Sequence, residues 1–347
     1  MDRRSFLKGL GVAAAGGWAF VISACGRGRA DQQPFDFGRG EMLVVDEDPG
    51  EVFFSGGITK QSDGSYFAVY QRQSRAGSAY VRGRTLLPVG PEEVFYDGRS
   101  IDPSVTTLAS GETLINLHRR GAIWLIVREG DGTFTQPIEV GPAGESMIST
   151  VRTRTFVAYA EAQSPDVFNI PVYSREIFSP TEWGPQVDTG ARVGAFGREL
   201  HEQKRSSIGG LGDEFLLAWN EPAKDTGGYR SIWVARSRDG TEWGERAKVA
   251  DTGQDLRNPF VLQVSDKKTR VYYVQGYRET RTPGKQPLGM VRTADGGESW
   301  SAPADVPVPP DVTGAARPSF FIEDGSIYCF TAYQGAGGGR LVIFPVP

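Results

Sequence analysis

Cysteine and histidine are almost missing from this chain: it holds only Cys25, Cys329, His118 and His201. So few soft or imidazole ligands argue against zinc clusters and leave Cys/His nucleophile chemistry poorly supplied. A basic block is also lacking. With 38 Lys and Arg against 42 Asp and Glu, the formal charge is −4, which offers nucleic acid no electrostatic footing. Long Ala/Leu/Glu/Lys-rich amphipathic stretches are absent, so a helical bundle has no sequence support. Charged residues at 23% and hydrophobic ones at 39% fit neither a disordered chain nor a protein of many membrane spans. What the 347 residues do contain is turn formers, 45 Gly and 22 Pro, between short apolar runs. That combination predicts an all-β chain.

The first segment reads as an address rather than as part of the fold. Asp2-Arg3-Arg4-Ser5-Phe6-Leu7-Lys8 sets paired arginines ahead of an apolar stretch, Leu10 to Ala24, that is short for a spanning helix and ends in small residues. The pattern resembles a twin-arginine export signal at Arg3, Arg4, Phe6, Leu7 and Lys8, and Ile22-Ser23-Ala24-Cys25 resembles a bacterial lipobox. The resemblance implies removal of residues 1–24, a lipidated Cys25 as the new first residue, and a flexible tether through residue 40. It also implies export of a folded protein and a membrane anchor facing the periplasm or the cell exterior. Cys329 then has no disulfide partner and reads as an inert core thiol.

Six segments of the remainder share one layout: a short apolar strand, a tight turn and a second, more apolar strand. They are residues 56–71, 101–118, 146–161, 205–221, 257–275 and 317–334, starting about 45 to 60 residues apart. This is near the period of four-stranded propeller blades. Asp63-Gly64, Ser110-Gly111, Gly212-Asp213 and Asp324-Gly325 supply the positive-φ chemistry of hairpin turns. After the sixth hairpin only Arg340 to Val346 remains, one strand short of a blade. Glu41 to Val45, or Val52-Phe53-Phe54, is expected to supply the missing outer strand and so close the ring.

Between hairpins lies another turn, clearest at Ser237-Arg238-Asp239-Gly240-Thr241-Glu242-Trp243 and at Thr293 to Trp300, with weaker echoes at Arg128 to Phe134 and Ser174 to Trp183. An Asp in such a turn accepts backbone N–H bonds, a Gly takes the left-handed position, and the aromatic packs beneath. These turns resemble the Asp-boxes (BNR repeats) of sialidase-like β-propellers, a resemblance that covers residues 41–347. The expected fold is all-β, a six-bladed propeller of four-stranded antiparallel blades.

In such a propeller the starts of first strands and the ends of second strands meet on one face, around the axis. Arg205, Arg257 and Arg317 occupy first-strand starts, as does Asp102; Gln71, His118, Glu161, Glu221 and Gln334 occupy second-strand ends. Three arginines converging on a mouth suit a carboxylate, sulfate or phosphate. They serve equally well as rim charges paired with Glu199, Asp255 or Asp311. Asp102, Glu161 and Glu221 are the acids placed for proton transfer or nucleophilic attack, and Tyr70, Tyr159, Trp219, Tyr277 and Tyr333 are aromatics at the same level.

By resemblance to sialidases, Arg205, Arg257 and Arg317 would hold a substrate carboxylate, Asp102 would act as acid/base, and Tyr333 activated by Glu221 would attack. The Arg-Ile-Pro motif of that family is replaced here by Ser55-Gly56-Gly57-Ile58. The expected function is a surface-anchored glycoside hydrolase of extracellular glycans, acting as a monomer. The alternatives are a propeller that binds glycan or protein without catalysis, and an assembly factor. No cofactor is implied; there is no EF-hand spacing, and a structural calcium held by carbonyls is the one ion left open.

Overall fold

The computed structural model describes residues 42–347 apart from 75–77, 97, 99, 143, 162–168, 195–205, 223–228, 277–284 and 336–337. The segments read as an export signal and a tether, residues 1–40 with Cys25, and also Arg205, Glu199 and Tyr277 therefore lie outside the described residues. All described residues belong to one compact unit, Pro34–Pro347. Among them there is no helix, only strands and turns in six antiparallel sheets. The architecture is a six-bladed β-propeller.

Each blade starts with an inner strand and folds back through the second strand that the sequence repeat marks. The inner strands are Glu51–Lys60, Ile101–Thr107, Ser146–Val151, Ser206–Leu211, Arg257–Gln263 and Ala316–Glu323, in blades 1 to 6. In blade 1 the fourth strand is reduced to a bridge between Gly83 and Glu93. Blade 3 carries an extra segment, Val187–Val193, on its third strand. Ring closure uses the earlier of the two expected segments. Leu43–Asp48 pairs antiparallel with Gly338–Val346 as the outer strand of blade 6, whereas Val52 to Phe54 belongs to the inner strand of blade 1.

The second strands read as near-continuous apolar runs because both of their faces are covered. In blade 3, Phe156, Ala158 and Ala160 face a cluster shared with blade 4, while Val157 and Tyr159 face one shared with blade 2. Six such clusters among the described residues each bridge two neighbouring blades, and that between blades 6 and 1 spans the closure. Stability thus resides between blades.

The Asp turns lie on the hairpin side, away from the mouth. Asp239 accepts bonds from the Thr241 and Glu242 amides at 2.8 and 2.9 Å, with Gly240 at φ 75. Asp295 accepts from the Ser299 amide at 3.1 Å. The aromatics that follow, Trp243 and Trp300, pack against the clusters of blades 3–4 and 4–5. Bonds from Glu242 and Thr241 hold the Asp239 carboxyl well below the usual carboxylate range, and bonds from Ser299 and Thr293 do the same for Asp295. A carboxyl depressed in the folded state adds stability above its unfolded value, near 3.8, and loses it as the pH falls toward the folded value. In urea titrations across acid pH, the Asp239→Asn/Asp295→Asn protein is therefore expected to show a flatter loss of midpoint below about pH 4 than wild type. Parallel profiles would show that these turns do not contribute to acid sensitivity.

Candidate active site at the axial mouth

Three inner strands begin with the same irregularity. In blades 2, 5 and 6 the register slips between Ile101 and Ser104, between Arg257 and Phe260, and between Ala316 and Ser319. Two residues bulge in each: Asp102-Pro103, Asn258-Pro259 and Arg317-Pro318. The first of each pair is left-handed, with φ of 54, 51 and 55. A side chain at such a φ is strained, and a bulge re-aims it away from the regular alternation of the strand. The proline that follows has no N–H, so the bulged position leaves no ladder donor unmade.

The bulge decides where Asp102 and Arg317 point. Arg317 Nη1 ion-pairs with Asp102, and Arg317 Nη2 reaches Glu145 Oε1 at 3.4 Å. Arg317 belongs to blade 6, Asp102 to blade 2, and Glu145 stands just before the inner strand of blade 3. Blades 6 and 3 are opposite one another in a ring of six, so the guanidinium lies at the axis. Phe54 of blade 1 lies beneath it, 5.1 Å from the guanidinium carbon to the ring centre. The Ser55 hydroxyl meets the Ala316 and Arg317 carbonyls at 2.8 and 2.5 Å, which ties blade 1 to the Arg317 bulge. Gln71 Oε1 accepts the Asp102 amide at 3.2 Å, so this residue holds the blade 2 bulge.

The cluster is buried: Asp102 is 0% exposed, Glu145 3% and Arg317 8%. Burial pulls the Arg317 guanidinium down to about 10, still charged at neutral pH. One ionised carboxylate balances the guanidinium, and a second would leave one negative charge in excess. On the far side of the cluster the inner strands enclose a channel of about 370 Å³, lined by residues such as Thr59, Thr106, Thr150 and Gln263. None of the three charged groups lines it.

Arg257 is not the counterpart of Arg317. Arg257 sits before its bulge, opposite Val274, in the position that Ala316 holds in blade 6; the residue equivalent to Arg317 is Asn258. The expectation of Arg257 and Arg317 in one register is thus corrected by a single residue. Arg257 is fully buried and bonded through Nε to Asp255 Oδ2 at 2.7 Å, while Arg230 donates to Asp255 Oδ1 at 2.7 Å. Pairing with Asp255 is the alternative that the sequence left open.

The pairing of Tyr333 with Glu221 is also corrected. Glu221, in blade 4, accepts from Trp219 Nε1 at 3.0 Å and from Arg246 Nη2 at 2.8 Å. Tyr333, in blade 6, is buried between blades 5 and 6 and accepts from Arg340 Nη1 at 3.3 Å. Glu161 lies one blade position outward from Glu145, in a separate cleft with Tyr159 and Tyr173. His118 is buried opposite Ile101, beside the Asp102 bulge. Gln334 is half-buried, and its carbonyl accepts the Thr313 hydroxyl at 3.2 Å. Glu145 and Asn258 escaped the sequence reading, the first because the third repeat, residues 146–161, begins just after it. The signal that would have found Asn258 is the recurrence of X-Pro at strand starts. Among the described residues, no group of three His, Cys, Asp or Glu side chains is placed to hold a metal ion.

No family model matches the chain. No curated protein matches it either. Solved structures do resemble it. A Dyadobacter fermentans protein of unknown function shares 14% identity at a TM-score of 0.65, over 88% of this chain and 97% of that one. A Hadza microbial sialidase shares 14% at 0.61, over 88% and 68%. The Penicillium chrysogenum alpha-L-arabinanase, in complex with arabinobiose, shares 12% at 0.59, over 88% and 98%. The sialidase and the arabinanase are six-bladed propellers like this chain. At such identities the likeness is one of fold.

Proposed function

We propose that this chain is an exported, lipid-anchored glycoside hydrolase that cleaves a neutral sugar from an extracellular glycan at the axial mouth. The observation that carries the reading is the pair of carboxylates, Asp102 and Glu145, held on either side of the Arg317 guanidinium. Glycoside hydrolysis calls for two carboxyl groups in different protonation states beside one bond. Direct contact with Arg317 favours ionised Asp102, which stabilises positive charge at the sugar or attacks it. Glu145, buried on the other side of the guanidinium, is the group placed to carry the proton for the leaving oxygen.

The preference for a neutral over an acidic sugar follows from charge. Arg317 is engaged by Asp102 and Glu145, and Arg257 and Arg230 are engaged by Asp255, so these guanidiniums are already committed to carboxylates of the chain rather than to a substrate carboxylate. Arg205 is the remaining support for an acidic substrate. The names of the similar structures, arabinanase and sialidase, cover both possibilities. Full burial of Asp102 favours a second reading, in which the cluster is a plug and the propeller binds glycan without cleaving it.

One experiment separates these readings. Cells carrying the chain are given a panel of aryl glycosides that includes an α-L-arabinofuranoside and a sialoside. The expected result is cell-bound hydrolysis of a neutral member, with the activity released to the medium by Cys25→Ser. Hydrolysis of the sialoside alone would overturn the neutral preference, and saturable binding without product would replace the hydrolase by the binder.

A further inference from the structure

The mouth cluster leaves Glu161 and its surroundings without a role. Glu161 lines a cleft of about 370 Å³ between blades 2 and 3, with Arg120, Tyr159, Tyr173 and Gln186. The cleft opens on the mouth face: Glu161 ends the second strand of blade 3, and Arg120 turns from the second to the third strand of blade 2. It adjoins the axial cluster, because the Ala160 amide bonds the Glu145 carbonyl at 3.2 Å, one strand spacing away.

Its lining has the chemistry of a sugar site. The Tyr159 and Tyr173 rings stand 5.9 Å apart at 45° and give an aromatic wall. The Tyr159 hydroxyl donates to Gln186 Oε1 at 2.9 Å, which fixes one end of that wall. Burial, reinforced by the Glu161 and Asp188 carboxylates, pushes the Tyr173 hydroxyl up, so it remains a proton donor at neutral pH. Arg120 and Glu161 carry opposite charges and select for no net charge. Pyranose and furanose rings present an apolar face and a rim of hydroxyls, which an aromatic wall with a donor, an amide and a carboxylate complements. The volume falls within the range of small-ligand pockets. The cleft beside Trp243 and Trp300 has similar components but lies on the hairpin face, remote from the mouth.

We infer that the cleft between blades 2 and 3 is a saccharide subsite, which binds a neighbouring unit of the glycan whose reacting sugar occupies the axial mouth. The inference rests on the proposed function above, and it makes the natural substrate an oligosaccharide or polysaccharide, with aryl glycosides occupying the mouth alone.

The test uses the protein labelled with fluorotyrosine, the Tyr173 resonance being identified by its loss in Tyr173→Phe. Arabinotriose, xylotriose, galactotriose and the three monosaccharides are titrated in turn. The expected result is a saturable shift of the Tyr173 resonance with at least one trisaccharide and none with its monosaccharide. The affinity for that trisaccharide should fall about five- to tenfold in Tyr173→Ala, and less in Tyr173→Phe, which keeps the ring. No shift with any trisaccharide, or unchanged affinity in a folded Tyr173→Ala protein, overturns the subsite. If aryl glycosides are hydrolysed while the resonance stays silent, the subsite fails alone. If the resonance shifts in a protein without turnover, the hydrolase reading fails and the cleft stands as a sugar site.

Discussion

Replacing Asp102 by Asn is expected to reduce turnover of the best aryl glycoside by about 10²- to 10⁴-fold, the contribution typical of a positioned acid, base or nucleophile. The substitution preserves shape and removes charge. It leaves Arg317 with Glu145 alone as a carboxylate partner, and at the axis of the ring that change is not screened by water. A loss of stability will accompany the loss of rate, so the urea midpoint must be measured on the same samples. Glu145→Gln should produce a comparable fall in rate, with its midpoint measured in the same way. Turnover within threefold of wild type for a folded Asp102→Asn protein would remove this carboxylate from the chemistry and favour the plug.

The second large effect concerns stability. Asp255→Asn is expected to destabilise the chain by about 3–5 kcal/mol, because it breaks a buried ion pair from one side. Arg230, Asp255 and Arg257 are all buried, and the carboxylate joins the third strand of blade 4 to the inner strand of blade 5. Removing its charge leaves two guanidiniums close together in a low-dielectric seam. Urea denaturation reads the effect as a lower midpoint. A midpoint equal to that of wild type would show that other groups at this seam neutralise the arginines.

Much of the wheel was legible before any coordinates. The second strands, such as Phe156 to Ala160 and Phe215 to Trp219, announce themselves as short apolar runs because each is covered on both faces by a neighbouring blade. Asp324-Gly325 and Ser237 to Gly240 mark their turns because the required φ values restrict the residues that fit. The closing strand was legible as a deficit at the C-terminal end, later filled by Leu43–Asp48. The mouth was harder to read. A one-residue offset at the bulge separates Arg257 from the position of Arg317, and the two arginines coincide in the repeat only when Arg is matched to Arg instead of proline to proline.

The sequence alone determined the number of blades, their order and the face on which strand ends meet, since periodicity and turn chemistry act over a few neighbouring residues. Only the tertiary structure decided which carboxylate each guanidinium finds. Arg317 meets Glu145 across 172 residues of chain, and Arg257 meets Asp255 two residues away. The first outcome follows from closing the ring, which brings together stretches that no local pattern links; the second follows from the bulge starting one residue after Arg257, which leaves that side chain beside Asp255.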